Sequence, residues 1–173
     1  MAIIKSVRGY TPTLGSRVFL ADNAVVAGDV VLGDDCSVWF NAVVRGDVNF
    51  IRIGDRVNIQ DGAIIHCTYE KAGTTIGNDV SIGHNAIVHG CTIRDKALIG
   101  MGAIVMDHAV VPSHCLVAAG AIVLENSILE SGFIYAGIPA KKIKELTPET
   151  FDFFITRTAS NYMMYAGWFK EIG

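Results

Sequence analysis

The chain lacks any apolar run of about 18 residues, the length a membrane-spanning helix needs. Its start, Met1 to Arg8, has too short an apolar core for a secretory signal, which points to a cytoplasmic protein. No two of its four cysteines stand at CxxC spacing, so neither a zinc knuckle nor a disulfide framework is expected. Cys36, Cys67, Cys91 and Cys115 read as reduced, buried thiols. Basic runs are absent and the net charge is -3, which leaves no footprint for nucleic acid, whose binding rests on phosphate neutralisation. Apolar and small residues are in excess instead. Of 173 residues 51% are hydrophobic and 18 are glycine, a balance that points to apolar surface shared between subunits.

Those residues recur with a period. An aliphatic side chain returns every sixth position through Leu20, Val26, Leu32, Val38 and Val44, with a companion four places later at Ala24, Val30, Cys36, Ala42 and Val48. The ladder slips, resumes at Ile53, Ile59 and Ile65, is interrupted, and returns at Ile76, Ile82 and Val88. After a one-residue slip it continues from Ile93 to Tyr135. A period of six fits no helix face and no long alternating strand, but it fits a solenoid whose short flat sides each take one hexad, three to a coil. Leu20 to Tyr135 leaves room for six to seven coils. The pattern resembles the hexapeptide-repeat superfamily, which implies an all-β, single-stranded, left-handed parallel β-helix.

Residues 18–140 form this solenoid in our reading, with residues 1–17 as a strand or loop capping the first coil and 141–173 as a helical appendage. Thr147-Pro148-Glu149 is a helix start, Thr as N-cap and Pro at the first helical position. Phe151, Phe154, Ile155, Thr158 and Tyr162 then share one face, and Gly167 and Gly173 read as end signals. Such an amphipathic helix packs along the outside of a coil.

Three of the five histidines sit within the repeat between Asn58 and Cys91. His66 follows Ile65 and His89 follows Val88, so both take the outward slot of a hexad. Of the 23 residues between them, five belong to the interruption after Ile65, and the remaining 18 make one coil. His66 and His89 are therefore expected one above the other, close enough to share a metal. His84 lies one hexad earlier, on another side of the triangle. In a threefold assembly with parallel axes His84 of one subunit reaches its neighbour's face, giving a three-histidine site with one tetrahedral position open, as in catalytic zinc.

Arg45-Gly46-Asp47, Asn58-Ile59-Gln60-Asp61-Gly62, His66, Gly83-His84 and His89-Gly90-Cys91 together resemble the motif set of the gamma-class carbonic anhydrase family, over roughly Val18 to Ala140. The resemblance implies a homotrimer with interface zinc, or iron or cobalt in its place, and His66, His84 and His89 as ligands. It implies that Gln60 holds the metal's water or substrate, that Arg45 and Asp61 pair between subunits, and that Asp47 supports that pair, with Asn58 behind the site. Tyr135 resembles a site tyrosine of the family but occupies a core slot, and we read it as packing. Two positions depart from the pattern. The acidic loop after the first histidine is reduced to Cys67–Thr75 with Glu70 as its one carboxylate, and Gly137 stands where active relatives carry asparagine.

The reaction expected is zinc-dependent hydration of carbon dioxide, slowed by the missing proton shuttle. Acyl transfer from CoA with His84 or His108 as base, and a metal-stapled trimer without catalysis, are the alternatives. His108 and His114 match none of the motifs and read as surface residues.

Overall fold

The computed structural model describes residues 1–170. The hexads wind into a triangular, left-handed parallel β-helix of about seven turns. One face stacks Val25–Leu32, Val43–Ile53, Ile64–His66, Ile87–His89, Ile104–Val105 and Ile122–Val123, the first two of which continue around a corner onto the second face. We call it the histidine face. The third, here the helix face, stacks Phe19–Leu20, Ser37–Val38, Asn58–Ile59, Ser81–Ile82, Leu98–Ile99, Leu116–Val117 and Phe133–Ala136. Inside, each ladder residue rests on its equivalents in the turns above and below. Val26, Val44, Ile65, Val88, Val105 and Val123 are all 1% exposed or less. Removing such columns from water is what stabilises a chain with so little helix.

The corners hold the turns in register through side-chain ladders. Backbone N–H groups of Ser16, Asp34, Asp55 and Asn78 donate to Asp34, Asp55, Asn78 and Asp95 at 2.7, 2.9, 2.8 and 2.8 Å. The glycine after the aliphatic makes room for this, since a Cβ at Gly33 would lie 2.4 Å from Asp55 Oδ1. His108 and His114 are exposed, at corner positions with φ of 58° and 57°, a backbone region in which histidine is enriched. The four thiols are buried and unpaired, as expected.

At its start the solenoid is extended by Ile3–Lys5 and Thr13–Leu14, which pair with the first turn. At its end Phe133–Ala136 is met by an antiparallel strand, Lys141–Glu145, whose five residues are all exposed.

Thr147 caps the helix as expected, its hydroxyl accepting from Thr150 N–H at 3.3 Å. The helix then differs from the sequence reading in three ways. Pro148–Phe151 runs into a π-helical turn, Asp152–Thr156, before Arg157–Lys170. The wider turn shifts the phase of the buried stripe, so Ile155, Ala159 and Ala166 are buried while Phe154 is 46% exposed. Gly167 does not end the helix, which packing carries on to Lys170, and Gly173 lies outside the described residues. The helix lies on its own solenoid. Trp39 meets the Tyr162 and Phe169 rings at 5.3 and 5.5 Å, and Phe19 meets Phe169 at 5.6 Å. Among the described residues no helix is long and apolar enough to cross a membrane.

Candidate metal centre

The insertion after Ile65 does what the spacing requires. Ile64, Ile65 and His66 pair in register with Ile87, Val88 and His89. The rings converge, and His66 Nδ1 stands 3.1 Å from His89 Nε2. Two nitrogens bound to tetrahedral zinc at about 2.0–2.1 Å would stand about 3.3 Å apart, so the pair fits two corners of such a site.

The far nitrogen of each ring is held by a carboxylate. Asp47 Oδ1 is 3.0 Å from His66 Nε2, and Asp107 Oδ1 is 2.6 Å from His89 Nδ1. Asp47 also takes the Arg45 guanidinium, and Asp107 also takes the Thr68 hydroxyl. Burial works to raise both carboxyls. At Asp47 the hydrogen bonds from His66 and Arg45 outweigh it, at Asp107 those from Thr68 and His89, so both fall below the usual carboxylate value. Burial pushes the His66 imidazole down against the pull of Asp47, which favours the neutral ring that ligates metals. Fixing one nitrogen by a carboxylate is how metal-binding histidines are commonly oriented.

His84, Gln60 and Asp61 gather elsewhere, at the corner where the helix face turns into the histidine face. His84 Nδ1 lies 3.0 Å from Asp61 Oδ2, and Tyr162 Oη lies 3.3 Å from His84 Nε2. Gln60 is buried. Its Nε2 donates to Asn58 Oδ1 at 2.9 Å, and Asn58 Nδ2 donates to Ser81 Oγ at 2.8 Å. Gln60 and His84 both line a mostly apolar cavity of about 550 Å³ between solenoid and helix, with Leu98, Met101, Leu116 and Tyr162.

One chain thus carries two clusters at opposite edges of the histidine face. Arg45, Asp47, His66, His89 and Asp107 are joined by hydrogen bonds at one edge, and Gln60, Asp61 and His84 stand together at the other. Among the described residues no three His, Cys, Asp or Glu side chains gather as a metal-holding group, and no ion pair joins Arg45 to Asp61. Tyr135 is packed, 6% exposed, with its hydroxyl accepting from Glu130 N–H at 2.8 Å. Glu70 lines a second cavity, of about 330 Å³, with Asp47, Arg8 and Tyr10.

Sequence reasoning missed Asp107, Thr68 and the contact of Tyr162 with His84. Asp107 stands one position past the residue level with His89, so the interval that stacked the histidines does not mark it.

Residues 11–46 match the bacterial transferase hexapeptide (six repeats) family. The Geobacillus kaustophilus protein named carbonic anhydrase is 44% identical over 85% of this chain and 80% of its own length. Gamma carbonic anhydrase 2 of Arabidopsis thaliana mitochondria is 41% identical over 94% of this chain and 60% of its own length. The chain belongs to the gamma carbonic anhydrase-like family. Protein YrdA of Escherichia coli is similar along almost the whole of both chains, 39% identical over 99% of this one and 96% of its own. Against the gamma carbonic anhydrase pattern, Gly137 adopts a φ of 95°, a left-handed turn that an asparagine side chain would enter at some cost.

Proposed function

We propose that the protein is a zinc-dependent carbonic anhydrase that works as a homotrimer, with each metal held by His66 and His89 of one subunit and His84 of the next. The observation that carries this is the 3.1 Å approach of two imidazole nitrogens whose opposite nitrogens are both fixed by carboxylates. The two clusters at opposite edges of one face argue for a ring. A head-to-tail contact brings unlike edges together, and closing it generates a cyclic assembly. The outward column Ile64, Ile87, Ile104 and Ile122, with exposed Met106 and Leu124 beside it, supplies apolar surface for that contact.

Bound there, zinc, or iron or cobalt in its place, would supply a Lewis acid that lowers the pKa of water from about 16 to about 7. Asp47 and Asp107 hold protons on the far nitrogens of His66 and His89, so the facing nitrogens present lone pairs. Gln60, anchored through Asn58 to Ser81, arrives with the neighbour's His84 and orients water and carbon dioxide by hydrogen bonding. The neighbour's Asp61 meets Arg45 across the interface. With one carboxylate, Glu70, in the shortened loop, proton release limits turnover.

Metal content per trimer and stopped-flow hydration test this, on the wild type and on His66→Ala, His84→Ala and His89→Ala. Each variant should lose the metal, and added imidazole should speed the wild type. Wild-type protein loaded with metal that hydrates no faster than buffer, even with imidazole, overturns the reading. The His84–Asp61 pair on a cavity of about 550 Å³ also suits a general base for acyl transfer. Acetyl-CoA turnover untouched by a chelator would favour that reaction.

A further inference from the structure

We infer that Asp107, braced by Thr68, is a positioning residue that fixes His89 for the metal, and that the loop after His66 is tied into the third coil of the site for this purpose. The inference rests on His89 being a ligand. Asp107 uses both oxygens, Oδ1 on His89 Nδ1 at 2.6 Å and Oδ2 on the Thr68 hydroxyl. Thr68 comes from the insertion, 39 residues away in sequence. Its backbone is fixed in turn, because Thr68 N–H donates to Ala72 O at 2.9 Å and Asn49 Nδ2 donates to Thr68 O at 3.2 Å.

Gly90 is a separate witness to the arrangement. A Cβ there would lie 2.4 Å from Asp107 Oδ1 and 2.8 Å from Ala72 Cβ, so the carboxylate reaches His89 across a space that only glycine leaves open. The N–H of Gly90 donates to Thr74 Oγ1 at 2.9 Å, and that hydroxyl donates to the carbonyl of His66 at 2.5 Å. The backbone beneath both histidines is thus joined to the same loop. An acceptor on Nδ1 places the ring proton there and leaves Nε2, the nitrogen 3.1 Å from His66, as the ligating atom. Without Asp107 the ring is free to turn and to move its proton to Nε2, which closes that atom to the metal.

The test uses the full-length protein, with zinc affinity read by competition against a chromogenic chelator and the His89 tautomer read by nitrogen NMR on metal-free protein. Asp107→Ala should weaken zinc binding about 10- to 100-fold and move the His89 proton from Nδ1 toward Nε2. Thr68→Val should shift both readouts in the same direction by less. Should Asp107→Ala fail to fold, Asp107→Leu, close in size and without an acceptor, decides by the same measurements. His89→Ala separates the two claims. If it binds zinc like wild type, the metal reading itself is wrong. If it loses zinc while the Asp107 variants keep wild-type affinity and the Nδ1–H tautomer, the role given to Asp107 is overturned.

Discussion

Alanine at Gly90 and at Gly102 should cost the protein different amounts for a reason visible in the turns. Both residues have positive φ, 56° and 65°. A side chain in that region costs about 1 kcal/mol. At Gly102 nothing lies within 4 Å of an added Cβ, so the backbone cost is the whole effect. At Gly90 the Cβ meets Asp107 Oδ1 at 2.4 Å and its Cγ at 2.7 Å. Relief requires Asp107 to swing away from His89 and Thr68, giving up two hydrogen bonds to a charged group, together about 2–3 kcal/mol for a partly exposed carboxylate. For a chain of this size about 1 kcal/mol lowers the midpoint by roughly 2–4 °C. Gly102→Ala should therefore fall by roughly 2–4 °C and Gly90→Ala by roughly 6–16 °C, read by circular dichroism on metal-free protein at one concentration. Adding Asp107→Ala to Gly90→Ala should cost less than the sum of the two single changes, because the clash with the carboxylate has gone and only that with Ala72 Cβ at 2.8 Å remains. Equal shifts for the two glycines, or strict additivity in the double variant, would refute the reasoning.

Ile82 is fully buried between Ile59 and Ile99 in register, so Ile82→Ala should lose about 2–5 kcal/mol in denaturant titration; a loss below about 1 kcal/mol would mean the column does not carry the stability assigned to it. His66 is depressed below its ordinary 6.5 and Asp47 and Asp107 below 3.8. Groups depressed on folding stabilise above their unfolded values and lose that contribution as pH falls through the folded ones. Metal-free protein should thus weaken on acidification from about 6.5, and again below about 4; a protein that gains stability from pH 7 to 5 contradicts this. Burial pushes Cys36 up to about 11 and Cys91 and Cys115 up to about 12, so a thiol reagent at pH 8 should label none of the three until the protein unfolds. Rapid native labelling would show the coils to be open.

The solenoid could be read because its signal is additive. Each hexad repeats one demand, a buried aliphatic against the turns on either side, and a five-residue interruption leaves that demand intact. The stacking of His66 on His89 follows from counting alone. Asp107 was obscured by the one-residue slip after Val88. That slip puts Met106 level with His89, and Asp107 level with Gly90, where an aspartate in a turn looks like any corner residue. Tyr162 was legible as an apolar helix position but not as a partner of His84, since the contact spans 78 residues and depends on where the helix lies. Gly167 does not end that helix, because glycine disfavours a helix interior by only about 1 kcal/mol, which packing of the flanking residues outweighs.

The strand Lys141–Glu145 has a consequence for how such a molecule grows. A parallel solenoid ends in a row of open amides and carbonyls, the kind of rim onto which another chain can add without limit, as in a fibril. Here the helix face of the last coil ends in a strand of reversed direction that carries Lys141 and Lys144 into solvent, while Lys142 pairs with Glu130. The reversal breaks the repeat that a further coil would have to continue, and the ammonium groups repel an approaching rim of the same kind. Growth along the axis is thereby opposed where that strand lies, on the helix face.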